Sequence, residues 1–165
     1  MNNPVKQVEE VQPLKVNVSV DIKEPQKLPW PYKDESISEL TVCDVFEYVP
    51  GKLRGKFMDE VYRVLIPEGK ATLLLAYWNT ARAVQDYRYE WPPLSEQSFL
   101  YFNKGWREVN KLKLDVVCDF DFTYGYNVDP DTANRNDEVR SFNIKNYNNV
   151  IQVLQVVLTK RPATN

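Results

Sequence analysis

Apolar and polar positions follow two periods along this chain, and the switches between them delimit its elements. Residues 1 to 13 show neither period; they are polar, carry two prolines and read as an extended or mobile arm. From Leu14 to Ile22 the chain alternates, with Val16, Val18, Val20 and Ile22 on one face and Lys15, Asn17, Ser19 and Asp21 on the other, the period of a strand. Residues 23 to 36 hold three prolines and several charges and form a loop. An apolar strand follows over roughly Glu39 to Val45. The period then lengthens. Leu53, Phe57, Val61 and Leu65 recur at i+4 with Met58 and Val64 beside them, one apolar stripe of a helix over Gly51 to Leu65, ended by Pro67-Glu68-Gly69. Ala71 to Trp78 is short and almost wholly apolar, the pattern of a central parallel strand covered on both faces.

The second half repeats the scheme. Residues 79 to 94 form a polar and aromatic loop ending at Trp91-Pro92-Pro93, and Ser95 is placed to cap the next helix. Phe99, Phe102, Trp106, Val109 and Leu112 make a second helical stripe. Leu114 to Tyr126 alternates cleanly, with Asp115, Asp119, Asp121 and Thr123 on one face, which suits an antiparallel edge strand with one solvated side. Residues 127 to 149 are polar and rich in Asn and Asp, with room for a short helix, and Val150 to Lys160 is a final apolar strand. The elements predict a single α/β domain over 14–160 with a tail at 161–165, built on a mostly parallel sheet with an antiparallel edge strand and flanking helices.

Composition narrows the chemistry. A length of 165 residues favours one domain. Ten tyrosines and four tryptophans supply amphipathic rings suited to a pocket rim or an interface, or equally to a tyrosine-rich core edge. A net charge of −2 leaves no basic face for bulk nucleic-acid binding. The chain has no histidine, which removes the usual general base near neutral pH and any Ser-His-Asp or Cys-His nucleophile system. Cys43 and Cys118 sit in apolar runs and read as buried thiols. The first ten residues have no apolar core of a signal peptide, and no stretch approaches the ~20 apolar residues of a membrane span, so we expect a soluble, cytoplasmic protein.

Three runs resemble the class I S-adenosylmethionine-dependent methyltransferases. Leu28-Pro29-Trp30-Pro31-Tyr32-Lys33-Asp34 is similar to the loop before that family's fourth strand. Asp44-Val45-Phe46-Glu47-Tyr48-Val49 is similar to the end of the fourth strand, and Glu60-Val61-Tyr62-Arg63-Val64-Leu65-Ile66-Pro67-Glu68-Gly69-Lys70 to the next helix and turn. The stretch from Tyr77-Trp78-Asn79 through Trp91-Pro92-Pro93 looks like a phage-encoded, N-terminally truncated branch. The likeness spans residues 16 to 160 and implies a reduced Rossmann-like methyltransferase fold. The departures carry equal weight. The family's first strand is followed by a glycine-rich cofactor loop, whereas the first of the five glycines here is Gly51. The two histidines at the end of the fourth strand are replaced by Asp44 and Tyr48, and the glycine pair of the turn by Glu68-Gly69. Without the first strand, Leu40 to Val45 would be a bare apolar edge, which proteins rarely leave exposed. We expect the Val16 to Asp21 strand to fill that place, with a homodimer as an additional possibility.

The resemblance places Asp21, Leu28, Asp44 and Glu47 on the side of an S-adenosylmethionine cofactor, and Tyr77, Trp78, Arg82, Gln85, Asp86 and Trp91 on the side of a substrate, beyond the carboxyl ends of the strands. Packing readings stand beside these: an aromatic-pinned loop for Arg82 to Trp91, and a carboxylate at a helix start for Glu47. No catalytic residue is singled out. Asp115, Asp119 and Asp121 could hold a divalent cation, but a solvated edge face is the reading we favour, and no metal is expected. Asp129-Pro130-Asp131-Thr132-Ala133-Asn134 fails as a calcium loop, because Ala133 and Asn134 stand where a ligand and a glycine are needed. Three functions fit: a methyltransferase-like protein acting on a small acceptor, with weakened or lost cofactor binding; an inactive, methyltransferase-derived subunit acting through protein contacts; and an interaction protein with no ligand.

Overall fold

The computed structural model of the chain describes residues 13–18 and 27–162. Its frame is a five-stranded sheet in the order β1-β2-β3-β5-β4, made of β1 (Leu14–Val18), β2 (Ile37–Cys43), β3 (Leu65–Ala76), β4 (Phe120–Val128) and β5 (Ile151–Lys160). β1, β2 and β3 are parallel, whereas β5 runs antiparallel to β3 and to the edge strand β4. The apolar edge of β2 is covered from within the chain: β1 lies along it in parallel, with Val16 opposite Leu40 and Val18 opposite Val42. The remainder of the expected first strand, Asp21 included, lies outside the described residues.

Helix α1 (Arg54–Val64) starts later than its apolar stripe suggests, because a 3-10 turn at Gly51–Leu53 precedes it. Pro67-Glu68-Gly69 does not close the helix into a loop. The chain enters β3 at Leu65, and these residues form a bulge where the register with β2 jumps from Ile37–Leu65 to Glu39–Lys70. Glu68 has φ 62, and a Cβ at Gly69 would stand 2.8 Å from the Ile66 carbonyl oxygen, so the bulge needs its glycine.

The loop after β3 contains the one-turn helix α2 (Arg82–Gln85). The second helical stripe is broken in two. Ser95 caps a 3-10 helix over Glu96–Phe102 through a capping box, burying Phe99 and Phe102. Asn103 then accepts a hydrogen bond from the Trp106 amide and restarts the chain as α3 (Lys104–Val109). Val109 is therefore 82% exposed and Leu112 37% exposed instead of buried. The strand expected from Leu114 begins only at Phe120. Asp59 of α1 accepts hydrogen bonds from the amides of Val117 (2.9 Å) and Cys118 (2.8 Å), which withdraws that segment from the sheet. Residues 127 to 149 hold two helices, α4 (Pro130–Ala133), capped by Asp129, and α5 (Asp137–Asn146), capped by Asn136.

The core lies on one face of the sheet. Phe46, Phe57 and Phe99 stack between it and the helices, with Trp30 edge-on to Phe57 at 5.3 Å. On the opposite face Thr72 and Leu74 of β3 are half-buried and belong to no core cluster among the described residues, so among those residues the packed core covers β3 on one face. No helix among the described residues is long and apolar enough to cross a membrane.

Candidate functional site

The carboxyl ends of β2 and β3 bring together most of the residues singled out from the sequence. β2 ends in Cys43, and Asp44 turns the chain with φ 50 while its amide donates to the Leu74 carbonyl at 3.1 Å. Its carboxylate is engaged by the Arg82 guanidinium at the start of α2. Glu47 lies in the 3-10 turn Phe46–Tyr48 and is only 5% exposed. Its Oε1 accepts from the Ala76 amide at 2.8 Å, at the end of β3, while Oε2 is buried with no hydrogen-bond partner among the described residues. Burial pushes the Glu47 carboxyl above its ordinary range, against the amide of Ala76, and Asp44 adds to the rise.

Arg54 is the organiser of this end and escaped notice in the sequence. It is 7% exposed. Its three guanidinium nitrogens donate to the carbonyls of Val49 (3.2 Å), Pro92 (2.7 Å) and Glu90 (2.9 Å). It thereby ties the start of α1 to the loop after α2, and its guanidinium lies 5.6 Å from the Phe46 ring centre. The signal was present: Arg54 precedes Phe57, Met58 and Val61 by three, four and seven residues, so the stripe itself turns it inward. Between Glu47, Arg54, Ala76, Tyr89 and Leu94 there remains a cavity of only about 10 Å³.

The loop residues form a second cluster. Asp86 accepts from the Tyr48 hydroxyl at 3.1 Å and from Arg88, which holds its carboxyl well below the usual carboxylate range. Tyr48 meets Tyr89 edge-on at 4.9 Å and carries the Arg88 guanidinium 5.2 Å above its ring. Burial, then Glu47, raises the Tyr89 hydroxyl, so it stays protonated across the physiological range. A groove of about 230 Å³ opens along this loop, lined by Val84, Asp86, Tyr87, Tyr89 and Trp91 among others. Trp91 is 78% exposed and Tyr87 94% exposed on its rim.

The other expected residues are distributed unevenly. Tyr77 is buried, bridges to Leu94 and packs against Tyr126 at 5.4 Å, a packing role at the base of the crevice. Trp78 is half-exposed and Gln85 exposed. Leu28 packs half-buried against the core, as does Tyr32. Asp119 and Asp121 bind Arg161 and, in the case of Asp119, the Lys104 amide at 2.8 Å, whereas Asp115 lies outside β4.

No protein-family model matches the sequence, and no curated protein matches it significantly. Solved structures do. A SAM-dependent methyltransferase from Archaeoglobus fulgidus superposes with a TM-score of 0.52 at 9% identity, over 78% of this chain and 62% of that one. A protein described as a methyltransferase, solved in complex with the Haloferax volcanii Trm112 methyltransferase activator, gives a TM-score of 0.50 at 14% identity, over 83% of this chain and 59% of that one. The chain thus spans about three fifths of the length of these neighbours. What they share with it is the fold, and the five-stranded mixed sheet with its flanking helices is the Rossmann-like α/β fold of the SAM-dependent methyltransferases.

Proposed function

We propose that this chain is a methyltransferase-like protein whose ability to bind S-adenosylmethionine on its own is weakened or lost. The observation that carries this reading is the state of its two cofactor-side carboxylates. Asp44 is paired with Arg82, and Glu47 is turned inward onto the Ala76 amide over a cavity of about 10 Å³. Pockets for ligands of the cofactor's size run to roughly 300–1,000 Å³. The small cavity beside Glu47 and the engagement of both carboxylates within the chain support weakened cofactor binding at the carboxyl ends of β2 and β3. An acceptor-binding role survives this reading, since the groove of about 230 Å³ beside Trp91 and Tyr87 has the size and aromatic lining for a small ring-bearing molecule.

A second reading, a catalytically inactive subunit acting through protein contacts, is favoured by the exposed apolar side chains on that rim: Val84 at 68%, Tyr87 at 94% and Trp91 at 78%. Titration calorimetry with S-adenosylmethionine and S-adenosylhomocysteine tests the proposal. We expect no binding heat up to millimolar ligand; micromolar binding contradicts it and would call for a search for a methyl acceptor.

A further inference from the structure

The sheet face opposite the core carries a pattern that the helices do not explain. Across it, the register aligns Thr41, Thr72, Val157 and Thr123 in one row and Cys43, Leu74, Gln155 and Gly125 in the next. None of these eight residues is charged. Leu74, Val153 and Val157 are half-buried and join no core cluster among the described residues. Parallel strands are normally covered on both faces. A neutral field of threonine, valine and leucine over β2, β3 and β5 has the composition of a face that is covered. The row beneath it is charged with alternating sign: Lys15 bonds Glu39 at 2.7 Å, Glu39 lies in register with Lys70, and Lys70 with Thr159, beyond which stands Asp121.

We propose that this face is where two copies of the chain pack, sheet on sheet. A charge-free centre offers nothing to a polyelectrolyte or a strongly charged partner, and its β-branched residues suit the interleaving of stacked sheets. The charged row is complementary to itself. A two-fold axis parallel to the strands, passing between β2 and β3, sets Glu39 of each copy opposite Lys70 of the other. The net charge of −2 opposes association only weakly. β2 and β3 of one copy over β3 and β2 of the other, at about 4.8 Å spacing and some seven residues of about 3.3 Å each, bury on the order of 440 Å² in the pair. That is below the ~1,000 Å² at which specific interfaces begin, so the dimer is weak and concentration-dependent.

Sedimentation equilibrium of the full chain tests this. The expected result is a reversible rise from 19.4 kDa toward twice that mass between about 1 and 100 μM. Leu74→Lys at the centre of the face weakens the dimer about tenfold or more. Thr72→Lys serves as a second variant, and circular dichroism checks that both remain folded. Glu39→Lys weakens the dimer as well, and adding Lys70→Glu restores it. A chain that is monomeric at about 100 μM overturns the proposal, as does a dimer indifferent to both lysine substitutions. So does a monomer whose Cys43 is alkylated faster once residues 1–12 are removed, because that segment would then be the cover.

Discussion

Arg54 and Glu47 are the buried ionisable side chains at the carboxyl end of the sheet among the described residues, and each is held for a different reason. Arg54 donates to three backbone carbonyls from a side chain that is itself buried, so removing it takes away their shared partner. Arg54→Met should cost about 2–4 kcal/mol in chemical denaturation and release the 86–94 loop to proteolysis; a cost under about 1 kcal/mol would show that the loop is held by its aromatic contacts instead. Glu47 is favoured in its protonated form, since burial raises it above the ordinary 4.5. A raised folded-state value contributes stability in full below the unfolded value, and that contribution is lost as pH rises through the folded one. Glu47→Gln, neutral at every pH, should therefore gain on the parent chain as pH is raised from about 4.5 toward neutrality. Denaturation curves whose spacing does not change with pH would contradict this. Asp44, Glu47, Arg82 and Asp86 were legible in the sequence as a group because motif order placed them beyond two strand ends. Their partners were not, since pairings such as Asp44 with Arg82 and Tyr48 with Asp86 span 38 residues each and depend on how the loop folds back.

Among the elements, the strands that alternate or run apolar were read correctly in kind, and the errors fall where a side chain competes with the backbone pattern. Asp59 takes two amides out of the start of β4, and Asn103 restarts a helix that periodicity alone would continue. The 3-10 geometry of Glu96–Phe102 keeps Phe99 and Phe102 in the core while turning the later stripe residues outward. The placement of β1 beside β2 met a physical demand, the covering of an apolar edge, and it makes a kinetic prediction. With both neighbours in place, the amides of Leu40 to Val42 should exchange about a thousandfold more slowly than unprotected ones, near the global limit; rapid exchange there would mean that β1 does not stay on the sheet. Phe57 contacts both Trp30 and Phe46 at 5.3 Å, so Phe57→Ala should cost about 3–5 kcal/mol and loosen α1 from the sheet. A loss below about 1 kcal/mol would show that the site collapses to fill the space.

At the scale of the whole molecule, one sheet separates three environments: a helix-covered face that holds the core, a face with an uncharged centre that belongs to no core cluster among the described residues, and a carboxyl end where Asp44 and Glu47 are engaged by Arg82 and the Ala76 amide. The fold was legible because three motifs occur in the order and spacing of a methyltransferase domain. The condition of its carboxyl end was not, because sequence order does not reveal that Arg82 and the Ala76 amide occupy the two carboxylates. The central claim is that this end is filled from within. Crystals grown with S-adenosylhomocysteine in millimolar excess test it most directly. The account predicts the Asp44–Arg82 pair and the Glu47 contact to Ala76 intact, with no nucleoside beside them; a nucleoside seated at the ends of β2 and β3, with those two contacts broken, would contradict it.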